Sequence, residues 1–156
     1  MGADDTPAIA AAERSGIRYA VTRHGPVSSL AEAAALRGIE PRDLVKTLVV
    51  RRADDDYLFV LVPGDREISW PKLRAHLGVS RLSMPPADIA RAVTGYERGT
   101  ITPFGSTRAW PVLADQRIVG RSISIGGGAH GVALSVAAND IVGILCAELA
   151  DVTEPQ

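Results

Sequence analysis

Lys46 and Lys72 are the only lysines in a chain that otherwise draws its positive charge from arginine. Lys46 stands in Leu44-Val45-Lys46-Thr47-Leu48-Val49-Val50, an apolar run where an unpaired charge is costly to bury. The residue alone supports two readings. A lysine at a strand end lays its methylenes on apolar surface and keeps its ammonium in water. A lysine held in a cleft contacts a carbonyl or phosphate oxygen. The second candidate is Gly99-Thr100-Ile101-Thr102-Pro103-Phe104-Gly105. Its glycines reach dihedrals closed to other residues and let a ligand approach the main chain, while Pro103 fixes the loop so that its amides need little ordering on binding. An ordinary connecting loop has the same ingredients. His130, in Gly128-Ala129-His130-Gly131, follows Gly126-Gly127-Gly128 and reads as a surface turn residue or as a polar group lining a pocket.

The other reactive side chains form no familiar constellation. His24, His76, His130 and the single Cys146 lack metal-ligand spacing, so no metal site is expected. There is no Gly-x-Ser-x-Gly elbow and no Gly-Lys-Ser/Thr phosphate loop. The glycine run at 126–131 lacks the helix and βαβ unit of a dinucleotide site, so no cofactor is expected. His24 and His76 read as structural or solvent-facing, Cys146 as a core residue on an apolar terminal helix, and Asp115 as a turn residue.

Charge and composition narrow the partners. Seventeen basic residues against 18 acidic ones give a net charge of −1, which argues against a broad nucleic-acid surface and for at most a small contact with one nucleic-acid end. A chain of 156 residues, 46% hydrophobic and 22% charged, suits one domain with a single core. No apolar run reaches membrane-spanning length, the start lacks a secretion signal, and one cysteine excludes an intrachain disulfide. A cytoplasmic location is expected, with no membrane and no DNA partner. Met1-Gly2 with Thr6 fits a myristoylation pattern formally, but Thr6 and Pro7 are better read as the cap and first turn of a helix.

The elements that must position these residues follow from period and punctuation. Helices are expected at Pro7–Ser15 before Gly16, at 30–36 behind the Ser29/Glu32 capping box, at Trp70–Leu77 between Ser69 and Gly78, at 87–93, and from Asp140 to about Leu149. Strands are expected at 17–22, 46–52, 57–62, 81–84, 110–114, 117–125 and 132–136, with a short helical turn at 41–45. The stretch 95–105 is too rich in glycine and proline for regular structure. Hairpins mixed with helices argue for an α+β fold with a mixed sheet.

Taken in order, several segments resemble the YbaK / prolyl-tRNA synthetase-associated editing family. They are Thr6-Pro7-Ala8, Asp43-Leu44-Val45-Lys46-Thr47-Leu48, Val62-Pro63-Gly64-Asp65-Arg66, Thr94-Gly95-Tyr96-Glu97-Arg98-Gly99, Pro103-Phe104-Gly105 and the run 126–131. The resemblance covers roughly residues 6–150 and implies a single α+β domain over 1–156, a mixed, curved sheet flanked by helices. It implies trans-editing: hydrolysis of the ester joining a wrong small amino acid to the terminal adenosine of tRNA, such as Cys- or Ala-tRNA(Pro). The partners implied are the acceptor 3′ end of mischarged tRNA and, with it, prolyl-tRNA synthetase. The resemblance places the family's lysine on Lys46 and its Gly-x-x-x-Pro loop on Gly99 and Pro103, as catalytic positions. Thr47, Thr102, Phe104, Gly127, Gly128 and His130 are the implied substrate contacts. An aminoacyl ester is already a reactive acyl donor, so orienting a water and stabilising the oxyanion suffice without a protein nucleophile. The alternative is a family member without turnover that binds a tRNA end, a small molecule or a synthetase.

Overall fold

The computed structural model describes residues 6–156, and the Met1-Gly2 pattern lies outside them. Thr6 accepts a hydrogen bond from the Ile9 amide (3.1 Å) and starts α1 (Pro7–Ser15), which Gly16 ends at φ +79°. Ser29 caps α2 (Leu30–Arg37) in the same way through the Glu32 amide. The Glu32 carboxylate accepts from Ser28, not from the cap amide of Ser29, so only half of the expected capping box forms. A single 3-10 turn, Pro41–Asp43, leads into β2 (Val45–Ala53), which pairs antiparallel with β3 (Asp56–Pro63).

β1 (Ala20–Arg23), β7 (Val132–Ala137) and β6 (Ser122–Gly126) form an antiparallel sheet in the order β1-β7-β6. A second sheet has the order β2-β3-β5-β8, with β5 (Val112–Asp115) and β8 (Glu148–Ala150) parallel to β3. A third pairs β4 (Arg66–Ile68) with β9 (Thr153–Pro155). The helices α3 (Trp70–Leu77), α4 (Ala87–Thr94) and α5 (Ala138–Ile144) complete the α+β fold. β3 is covered on both faces: Tyr57, Phe59 and Leu61 enter the larger core with α1, β6 and β7, while Leu58, Val60 and Val62 meet Leu73 and Val152. That double burial explains its unbroken apolar sequence.

Four expectations are corrected. The strand expected at 117–125 begins only at Ser122, because the Asp115 carboxylate accepts from the Arg117 amide and winds Gln116–Ile118 into a 3-10 turn. The strand expected at 81–84 is one bridge, Ser83 to Arg51, and the strand expected at 17–22 starts at Ala20. The last helix stops at Ile144. Cys146 takes φ +51° and lies exposed, and Leu149 leaves the expected helical stripe for a strand that completes the sheet beside β5. Residues 66–68, 148–150 and 153–155 form strands too short to show a period.

Candidate active site

β2 is an edge strand, and its phase can be fixed. Arg51 exchanges two main-chain hydrogen bonds with Ser83 (2.7 and 3.2 Å), so its peptide groups point away from β3. Phe59, paired with Val49 in register, likewise sends its amide to Pro111. Lys46, Leu48 and Val50 therefore carry the ladder to β3, whereas Thr47 and Val49 turn N–H and C=O outward. Between the Ser83 bridge and a bridge from Leu44 to Ser124, that edge pairs with no strand among the described residues. A cleft of about 470 Å3 runs along it.

The opposite wall is the 95–105 stretch, held from several sides. Gly95 ends α4 at φ +83°, and its amide returns to Arg91. The Tyr96 hydroxyl donates to the Phe104 carbonyl (2.6 Å), and burial pushes its pKa up to about 12. At Gly105, φ +70°, a Cβ would lie 2.4 Å from the Pro7 carbonyl oxygen and 2.7 Å from that hydroxyl, so only glycine fits. The Thr100 amide donates to Glu97 O (2.9 Å) and the Phe104 amide to Thr102 Oγ1 (3.3 Å). The amides of Gly99, Ile101 and Thr102 make no hydrogen bond among the described residues. Gly99 has φ +90°, and the nearest atom to a Cβ there would be His130 Cε1 at 3.9 Å.

Lys46 lies on the β2 wall and is tied to β4. It is half-buried and donates from Nζ to the Arg66 carbonyl (2.7 Å). Burial lowers its pKa below the ordinary lysine value, while Glu67 and Asp65 pull it back up. Arg37 and Arg98 also line the cleft, and Arg37 is fixed by bonds to His24 Nε2 (3.3 Å) and Ser124 Oγ (3.1 Å). Among the described residues the lining includes no acid, histidine, cysteine or serine, and its one hydroxyl, that of Thr47, is buried and meets no partner. The site offers cations and unpaired main-chain groups, a set suited to oxygens that carry or develop negative charge.

Residues 24–144 match the family model of the aminoacyl-tRNA editing domain. The chain belongs to this family. It is 35% identical over 92 residues to the proline–tRNA ligase of Geobacter sp. (strain M21), a match covering 59% of the chain and 16% of the ligase. The chain spans about 16–18% of the length of such ligases. It is 28% identical over 131 residues to EbsC of Enterococcus faecalis, named as a candidate Cys-tRNA(Pro)/Cys-tRNA(Cys) deacylase, covering 83% of the chain and 78% of that protein. A crystal structure of a candidate trans-editing enzyme for prolyl tRNA synthetase superposes with a TM-score of 0.87 at 21% identity, over 99% of both chains. The α+β fold expected from the sequence is thus the fold of solved structures.

Within the editing domain, Lys46, Thr47 and Gly99 come together in the cleft. Pro103 lies half-buried beyond it, and Thr102 and Phe104 are buried behind the loop, with Phe104 in the main core. Gly127 accepts from Thr6 Oγ1 (2.6 Å), and Gly128 packs on Tyr96, Ala8 and Thr6, so both support the loop from its rear. Their neighbour Gly126 is the glycine of that run in the lining. His130 is exposed and meets Glu97 Oε2 at 3.2 Å, beside the loop but outside the lining. Sequence reasoning missed Arg37, Arg98, Met84 and Ile101, and it missed the open edge. Arg98 and Ile101 flank Gly99 in the quoted motif and were within reach; Arg37 and Met84 carried no signal.

Proposed function

We propose that this editing domain hydrolyses the ester of mischarged tRNA, removing a small amino acid such as alanine or cysteine from tRNA(Pro) in the cytoplasm. The observation that carries this reading is the cleft itself, where Lys46 and a loop with free amides share the lining beside an open strand edge, and the one lining hydroxyl, that of Thr47, is buried. The acceptor 3′ end enters, the carbonyls of Thr47 and Val49 accept from the α-ammonium, and Lys46 holds the terminal nucleotide or acyl group. The loop amides receive the oxyanion as water attacks. The new bond joins water oxygen to the acyl carbon, and the bond from that carbon to the ribose oxygen breaks. The proton lost by water passes to the departing oxygen through the neighbouring ribose hydroxyl. A second site of this kind is useful because a synthetase pocket separates amino acids differing by one methylene by only ~1–3 kcal/mol. Prolyl-tRNA synthetase is the partner this reading implies.

The test is deacylation of tRNA(Pro) charged with alanine, cysteine, serine or threonine. Wild type is expected to clear at least one of them, and Lys46→Ala to be slower by about 100-fold. Wild type that binds tRNA yet clears none overturns the enzyme reading in favour of a silent family member. Lys46→Ala with full activity overturns the role given to Lys46.

A further inference from the structure

Beside the cleft lies a depression of about 320 Å3 that the hydrolytic reaction does not use. It is lined by Arg51, Arg52, Arg74 and Arg81, with Ser80, Leu82 and Ser83, and contains no acidic side chain. In a chain of net charge −1 this is a concentrated positive patch. Its arginines are poorly neutralised. Arg51 pairs with Asp54, which is fully exposed, and Arg52 approaches Asp56 only to 3.8 Å. Arg74 and Arg81 form no ion pair among the described residues. The Arg52 Nε is buried and has no hydrogen-bond partner.

The depression adjoins the cleft along one chain segment. Ser83 is tied to Arg51 by two main-chain hydrogen bonds, and the next two residues, Met84 and Pro85, line the cleft. The 80–85 segment is one wall with an arginine pocket at one end and the reaction cleft at the other.

We propose that this arginine pocket binds phosphodiester groups of the tRNA whose 3′ end occupies the cleft. The proposal rests on the deacylase reading for the identity of its ligand. Two arginines without acidic partners, Arg74 and Arg81, beside Arg51 and Arg52 fit a polyanion backbone, and since none of the four lines the cleft their role is in binding alone.

The experiment compares wild type with Arg74→Ala/Arg81→Ala and with Arg74→Lys/Arg81→Lys, checking each fold by its thermal midpoint. The alanine pair is expected to raise KM for aminoacyl-tRNA about tenfold with kcat unchanged. The slope of log affinity against log salt for uncharged tRNA should fall by about 1.5, and the lysine pair should restore both because a phosphate accepts a point charge. Hydrolysis of 3′-aminoacyl-adenosine, which has no phosphate, should be equal in all three. Unchanged KM and salt slope, equal loss on aminoacyl-adenosine, or no rescue by lysine overturns the proposal. Displacement of uncharged tRNA by millimolar inorganic phosphate as readily from the alanine pair as from wild type also overturns it. If wild type hydrolyses no aminoacyl-tRNA, the function proposed above fails, and the salt dependence of uncharged tRNA binding still decides this one.

Discussion

Lys46 is worth more to the site as a cation, and burial works against that state. Its ammonium is disfavoured by desolvation first, with Glu67 and Asp65 opposing. The folded-state pKa is depressed, so the positive form is lost on the alkaline side sooner than in an ordinary lysine. The catalysed rate, corrected for spontaneous ester hydrolysis, should therefore decline at alkaline pH below the range where free lysine titrates. Lys46→Arg should remove that decline, since a guanidinium stays protonated there; a profile identical in the two proteins would separate Lys46 charge from catalysis. This residue also marks what single positions disclose. Its type and apolar neighbours favour a snorkelling strand residue over a cleft residue, and its place in the cleft is set by Arg66, Gly99 and Gly126, which are distant in the chain. Cys146 shows the reverse failure: its apolar neighbours suggested a core position, and a left-handed backbone turn put it in solvent.

Two elements build the site, and each has a distinct test. Thr47 and Leu48 are both half-buried neighbours on β2, but only Leu48 gives its amide to the ladder with β3. Thr47→Pro should keep that ladder, since proline is tolerated where the N–H points off an edge, whereas Leu48→Pro removes a ladder bond. Denaturant unfolding should find the second variant less stable by at least about 1 kcal/mol; equal losses would mean the strand is phased the other way. In the facing loop, Tyr96→Phe deletes the bond to the Phe104 carbonyl and should cost about 1 kcal/mol. The sign with pH follows from a raised pKa. The unfolded chain ionises near 10 while the folded protein resists until about 12, so the stability tied to Tyr96 is whole below pH 10 and drains away between those values. Thermal melts across that interval should show the loss in wild type and a smaller one in Tyr96→Phe. The boundaries of α1 to α4, unlike those of α5, were legible in the sequence because Thr6, Ser29, Ser69 and the glycines at 16, 38, 78 and 95 act locally. The phase of an edge strand depends on which neighbours pair with it, and no local pattern records that.

Across the molecule, the C-terminal residues hold the site from behind. Asp115, fully buried, accepts from Thr153 Oγ1 (2.7 Å) and from the Val152 amide (3.3 Å). Thr153 Oγ1 in turn accepts from Arg66 Nε (2.7 Å), and the Arg66 carbonyl is the seat of Lys46. Thr153→Val leaves Asp115 short of a donor and Arg66 short of an acceptor. It should cost about 2 kcal/mol, seen by calorimetry as a midpoint lower by about 5 °C; an unchanged midpoint would show that the chain of bonds carries no strain of folding. Asp115 is the turn residue that the sequence suggests, capping Gln116–Ile118 through the Arg117 amide, but its second role was hidden because Val152 and Thr153 lie 37 and 38 positions away. A total charge near zero likewise does not disclose that four arginines gather in one depression. One feature of this architecture also governs how copies of the chain behave toward each other. An exposed strand edge with free peptide groups is a template on which another chain can build, and long flat ones lead to edge-to-edge aggregation. Here the open stretch of β2 is closed at Leu44 by Ser124 and at Arg51 by Ser83, and Lys46 stands within it. The edge is left too short and too charged to recruit a foreign strand, so the protein can keep its peptide groups unpaired for a ligand and still remain dispersed when concentrated.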